Sequence, residues 1–233
     1  MSLRSSCMGT EFLSMLQLSD SFFPTGAYAL SNGLEIIAKK GKIGVHELQE
    51  LVQTYIEQVI GPADCCALGH ALNCAKKADV AGTVEADNAL FSIKLVAEAR
   101  SASARSGTQL IRCVSEFAKS KALAGYTKAI RDGRTSGIYP VALAVACEAL
   151  DVPKQRAAEM LLYSFCVSMT GAALRLGVID HVAAQKVLHG LKPAIEKAAK
   201  NVERPLDAMW QFAPVIDIAQ MEHERMDAKM FIT

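Results

Sequence analysis

Val45-His-Glu-Leu-Gln-Glu-Leu-Val-Gln-Thr-Tyr-Ile-Glu-Gln-Val-Ile60 is the stretch that decides the fold class. Val45, Leu48, Leu51, Val52, Tyr55, Ile56, Val59 and Ile60 recur at three- and four-residue spacing. Glu47, Gln49, Glu50, Gln53 and Glu57 fall on the opposite face. That period marks an amphipathic helix, and Gly61-Pro62 is expected to stop it.

Helical text continues on both sides. Ala63 to Ala78 reads as a second, more buried helix. Gly82-Thr83 reads as a break with Thr83 as N-cap, followed by a helix from Val84 to Arg105 with Leu90, Ile93, Leu95 and Val96 inward. Gly107 interrupts, and Thr108 to Ile130 forms the next helix. Arg131-Asp-Gly-Arg-Thr-Ser-Gly137 is the clearest internal loop, rich in residues that turn the chain. Tyr139-Pro140 opens an Ala/Val-rich helix to Leu150, because proline is tolerated in a first turn. Asp151-Val-Pro153 repeats that start for a long helix ending near Gly177. Asp180 is placed to cap the following helix, and Pro193, Pro205 and Pro214 divide the C-terminal third into short helices. Two-residue alternation is almost absent. The class is therefore all-α, a multi-helix bundle of about 8–10 helices. With no long linker, residues 13–233 form one domain behind a flexible leader, Met1 to Phe12.

Composition agrees. The chain has 233 residues, enough for a sizeable core, and 51% are hydrophobic while only 6% are aromatic. Alanine, the best helix former, fills the difference. The net charge of +1, with both signs interspersed, supplies no field for nucleic acid or a membrane surface. Seven cysteines, an odd number with no C-x-x-C pair, suit buried reduced thiols in a cytoplasmic protein. No secretory leader precedes a cleavage site. The longest uncharged run, Met160 to Leu174, falls short of the roughly 20 residues a bilayer needs, and reads as a core helix.

Few residues suggest chemistry. Cys66 and His70 share a helix face beside Cys65 and could hold nickel, zinc or copper. Buried helix cysteines without further ligands are the commoner meaning. His181 and His189 lie two turns apart, too far to chelate together. His46 and His223 read as solvated or capping residues. There is no G-x-S-x-G elbow and no phosphate-binding P-loop. Arg131 and Arg134 could hold an anion or reach a partner's nucleotide, though a solvated turn is the simpler reading. Met221, Met226 and Met230 give the tail adaptable apolar surface.

Five blocks carry a resemblance. The first runs from Leu16 to Glu35 and contains Asp20, Pro24, Gly26, Tyr28, Ser31 and Glu35. Glu98-Ala-Arg100 with Ser103 and Gly107 is the second. Gly137-Ile-Tyr139-Pro140-Val141 is the third. Tyr163-Ser164 with Ala172-Ala-Leu-Arg175-Leu176 is the fourth. Pro214-Val-Ile-Asp-Ile-Ala219 with Met221, Glu222-His223-Glu224 and Arg225 is the fifth. Their order and spacing resemble the urease accessory protein UreF family over most of the chain. Leu30 stands where many members have a histidine or another polar residue, Ile138 replaces the usual histidine before Tyr-Pro, and Gly177-Val-Ile-Asp180-His181 replaces the family's I-P-L-G-Q. These departures mark a divergent member and count against a metal relay at those positions.

The resemblance implies an all-helical homodimer with no catalytic residues and no tightly bound cofactor, nickel being cargo in transit. It implies an adaptor that joins a UreD/UreH-type scaffold and a UreG-type GTPase on apo-urease, and that tunes GTP turnover. Asp20, Pro24, Gly26, Tyr28, Ser31, Glu35, Tyr139, Pro140, Arg175, Met221, Glu222, His223, Glu224 and Arg225 are then the expected partner contacts. A metal-transfer protein using Cys65, Cys66 and His70, and a helical enzyme with an unrecognised pocket, are the alternatives. Three expectations are open to direct inspection. Gly26 should hold a backbone shape that a Cβ would strain. Arg175 should be partly buried and paired. Residues 214–233 should dock, either on a partner or on their own domain.

Overall fold

The computed structural model describes residues 10–26, 29–41 and 43–233. Among them no strand occurs and 75% of the chain is helical. In chain order the helices are α1 (Thr10–Ser19), α2 (Leu34–Lys40), α3 (Val45–Tyr55), a π-helical segment (Ile56–Cys65), α4 (Cys66–Lys76), α5 (Val80–Ile93), α6 (Ala97–Phe117), α7 (Lys121–Arg131), α8 (Tyr139–Ala149), α9 (Lys154–Arg175), α10 (His181–Ala199) and α11 (Pro214–Glu224), with two short 3-10 turns between the last two. Thr10 to Phe12 belong to α1, not to a leader. That helix is held because Leu18 is buried and Met15 packs on the core against α9.

The bundle is built around α8, whose residues Pro140 to Cys147 are all buried between α4 and α6. Small side chains there let neighbouring backbones approach. The close approach is clearest at Gly107. It lies inside α6 rather than interrupting it, and a Cβ would collide with the Gly137 carbonyl and the Tyr139 amide. On the other side α9 packs on α10 and α1. Of the described helices only α9 is long and apolar enough to cross a membrane, and 56% of that window is buried within the bundle.

Several helix boundaries differ from those expected, each for a local reason. Gly61-Pro62 does not stop the helix that begins at Val45. In an α-helix the proline ring strikes the carbonyl four residues back. Here the turns widen to π spacing, which shifts that partner, and α10 packs along the widened segment. Asp79, not Thr83, caps α5, by accepting from the Gly82 amide at 3.0 Å. The expected helix from Val84 to Arg105 breaks at Lys94–Val96, leaving Leu95 61% exposed. Lys94 is drawn to Asp64, and the Arg100 guanidinium takes up the Leu95 carbonyl at 2.9 Å. Ser120 ends the next run by capping α7 through the Leu123 amide. Pro193 lies on the exposed side of an unbroken α10, carried through by buried Leu191, Ala194 and Ile195. The loop after α7, the proline-led start of α8 and the Asp180 cap are as expected.

Candidate functional site

Four of the five sequence blocks meet at the C-terminal end of the chain. Glu35, in the first turn of α2, is 2% exposed. One of its oxygens accepts from His223 Nε2 at 3.2 Å and the other pairs with Lys39 at 3.1 Å. The same carboxylate accepts the backbone amides of Met230, at 3.2 Å, and Phe231, at 3.3 Å. On the far side of the ring, His223 Nδ1 lies 2.9 Å from Glu98 of α6, which also pairs with Lys229. His223 is wholly buried. It is thus neither solvated nor a cap. Burial pushes the Glu35 carboxyl up, but the bonds from Lys39, the Met230 amide and His223 outweigh it and hold it below the usual carboxylate range.

The chain beyond α11 runs back over this cluster as a strap. The Ile232 amide donates to Ala29, and the Ser31 amide and hydroxyl both donate to the Thr233 carbonyl. Phe231 is buried under the Arg175 guanidinium, which stands 4.5 Å from the ring centroid. Arg175 is half-buried and its Nε donates to the Gly171 carbonyl at 3.1 Å, so the arginine is partly buried and partnered, by a carbonyl of its own helix and the Phe231 ring. Ser31, Glu35 and His223 were expected to touch a partner. In this conformation they have no surface to offer, because the strap and their own helices enclose them.

The other expected contacts separate into two groups. Asp20, Pro24 and Gly26 form an exposed turn in which Asp20 Oδ1 accepts the Phe22 amide at 2.8 Å. Gly26 has φ +78°, the left-handed region that a side chain strains. Tyr28 lies outside the described residues. Met221 and Glu224 are exposed, Glu222 pairs with Lys40, and Arg225 follows the helix end.

Tyr139 and Pro140 instead border a cavity of about 160 Å³, lined by α3, the π-helical segment, α6, α8, α9 and α11. Ser103, Ser164 and Asp217 from three further blocks line it too. On its wall Asp64 forms a 2.9 Å ion pair with Lys94. Burial pushes the Asp64 carboxyl up, with Lys94 opposing. Burial raises Asp217 as well and pushes Tyr139 to about 12. Perturbed carboxylates in a cavity are a mark of enzymes. Here neither histidine nor cysteine is among the described lining residues, Asp64 is already paired, and the walls are mainly aliphatic and aromatic. The space suits an apolar group better than acid–base chemistry.

Cys66 turns its thiol to the Pro205 carbonyl at 3.1 Å, and burial raises its pKa, so it is a protonated donor. Cys65 is buried and likewise raised. Among the described residues no group of three or more His, Cys, Asp or Glu side chains is placed to hold a metal ion. Arg131 and Arg134 lie in an exposed loop whose end is fixed by Asp87, a buried acid that accepts the Ile138 amide at 2.9 Å and the Tyr126 hydroxyl.

Sequence reading passed over Glu98 as a site residue and missed Asp64 and Asp87. The signal for Asp64 was a lone charge in the apolar run from Gly61 to Ala71, which a core tolerates only with a partner. Asp87 carried no comparable mark.

The family model for UreF matches residues 44–192. The chain belongs to the UreF family. The urease accessory protein UreF of Trichodesmium erythraeum is 32% identical over 224 residues, covering 95% of this chain and 97% of its own. That of Yersinia enterocolitica is 28% identical over 228 residues, 95% of this chain and 98% of its own. UreF 1 of Brucella melitensis is 30% identical over 222 residues, 94% and 92% of the two chains. UreF membership makes this an accessory protein of urease maturation.

Proposed function

We propose that the chain works as a homodimeric, non-enzymatic adaptor in the cytoplasm. It would join a UreD/UreH-type scaffold to a UreG-type GTPase on apo-urease, with nickel as cargo. The reading draws on family membership, and one structural observation supports it most. The outer face of α11 is apolar and uncovered. Val215 is 74%, Ile218 54% and Met221 40% exposed, and just before the helix Phe212 is 70% and Trp210 40% exposed. Gln211 between them is bound to the Ile93 carbonyl at 3.0 Å, which brings exposed Leu95 into the same neighbourhood. A contiguous apolar stripe with polar borders is what a protein interface requires.

The scaffold is the partner assigned to this stripe. The GTPase would fall to the exposed turn that carries Arg131 and Arg134, which could tune GTP turnover. The test is co-purification of the full chain with the scaffold and the GTPase, compared with Val215→Glu/Ile218→Glu. Loss of the scaffold alone supports the reading. Undiminished assembly contradicts it. Deleting Met221 to Thr233 is a poor test. It removes His223 and the strap, and leaves Glu35 and Glu98 buried without their partners.

A further inference from the structure

We propose that Glu35, His223 and Glu98 form a proton-held clasp that keeps the C-terminal strap closed, and that loss of one proton from His223 opens it. Both ring nitrogens lie within hydrogen-bond distance of a carboxylate oxygen, Nδ1 at 2.9 Å from Glu98 and Nε2 at 3.2 Å from Glu35. An ionised carboxylate only accepts. A neutral imidazole donates through one nitrogen and turns a lone pair outward at the other. Both bonds together therefore require the imidazolium form. Remove its proton, and a lone pair on the wholly buried ring faces a carboxylate, the buried Glu35 or the largely covered Glu98, an arrangement that is costly where little water can enter.

That cost falls on the strap through Glu35. The Glu35 carboxylate holds the Met230 and Phe231 amides while it also bonds the ring. Every charge facing the ring belongs to the same assembly. Glu35 and Lys39 come from α2, Glu98 from α6 and Lys229 from the strap itself. Lys229 ties Glu98 to the strap, and its Nζ also donates to the Glu224 carbonyl at 3.2 Å. With His223 neutral, α2 and α6 present two carboxylates against two lysines and a ring that satisfies one of them.

The remaining strap anchors among the described residues include the Ile232 amide on Ala29, the Thr233 carbonyl on Ser31 and the Phe231 ring under Arg175. Opening would uncover Phe231, now 4% exposed, and would free Ser31 and the face of Arg175. Ile232 borders an outer groove whose other walls include Leu30, Ala102 and Ser106. The same three residues border the inner cavity, so the open strap would widen the approach to it.

The test uses the isolated full-length chain, and so does not depend on the adaptor reading. Amide hydrogen exchange is followed from about pH 6, near the ordinary imidazole value, to about pH 10. Rates are normalised for intrinsic exchange. Protection at Phe231 and Met230 should fall by about tenfold per pH unit above the value at which the open form loses the proton, for as long as the closed form keeps it, as one-proton linkage requires. Protection at Ile138, held by Asp87, should not follow that slope. His223→Gln should flatten it. Glu98→Gln should flatten it too, because an amide can donate to a neutral ring, and this variant keeps the histidine if the first fails to fold. Nitrogen-15 shifts of His223 should show both ring nitrogens protonated while the strap is closed. A flat Phe231 profile in the unsubstituted chain, an unchanged slope in the variants, or a neutral ring under a closed strap would each overturn the proposal.

Discussion

The two faces of α11 do different work. Its inner face buries Ile216 and Ala219 in the ordinary way, and beside them His223 between two carboxylates and Gln220, which donates to the Tyr55 hydroxyl at 3.0 Å. Its outer face shows Val215, Ile218 and Met221 to solvent. A helix that only had to pack would put more of its aliphatic residues inside. The inner face adds a directional lock, because ionic hydrogen bonds fix position in a way that aliphatic contact does not. The outer face then remains as the surface with an unmet demand for burial. One short helix thereby serves attachment and recognition with different residues, and the two can be broken separately.

The largest expected effect is on the inner face. Glu35→Ala leaves His223 and two strap amides without an acceptor in a buried place, and should lower unfolding stability by about 3–5 kcal/mol. Denaturant unfolding checks this. A loss below about 1 kcal/mol would mean that the lock is idle.

The same face should be sensitive to acid, with a definite sign. Glu35 titrates below its ordinary value in the folded chain. Its contribution is therefore fully present above the ordinary carboxylate range. It is lost as pH falls through the lowered folded value. Stability measured against pH should fall on the acid side, and Glu35→Gln should flatten part of that fall.

A smaller loss is expected at the exposed turn. Gly26 has φ +78° and open space around a would-be Cβ, so Gly26→Val adds strain without collision. The expected loss is about 1–2 kcal/mol, read from the melting midpoint. An unchanged midpoint would show that the turn relaxes freely.

How much of this the chain revealed in advance depended on the reach of the forces involved. The proline-led start of α8 and the Asp180 cap are settled within a few residues, and were legible. Gly61-Pro62 misled because α10, more than a hundred positions away, supports the π segment, and no local pattern encodes that support. The blocks containing Glu35, Glu98 and His223 stood out as text, but their meaning did not. Glu35 and His223, expected as partner contacts, are buried, and Glu98 is largely covered beside them, since the strap that encloses them comes from the far end of the chain. The apolar stripe was visible as Val215, Ile218 and Met221. Which side of α11 is covered was not, because His223 reads from the sequence as a solvated or capping residue.

The smallest effect on stability should accompany the largest effect on binding. Val215→Glu/Ile218→Glu places charges where the chain already meets water, and should change unfolding stability by no more than about 0.5 kcal/mol. The direct measurement is the affinity of that folded double variant for the UreD/UreH-type scaffold, taken beside the unsubstituted chain. The expected result is an unchanged melt with scaffold capture lost. Capture at the unsubstituted level by a fully folded variant would contradict the assignment of the outer face of α11 to recognition.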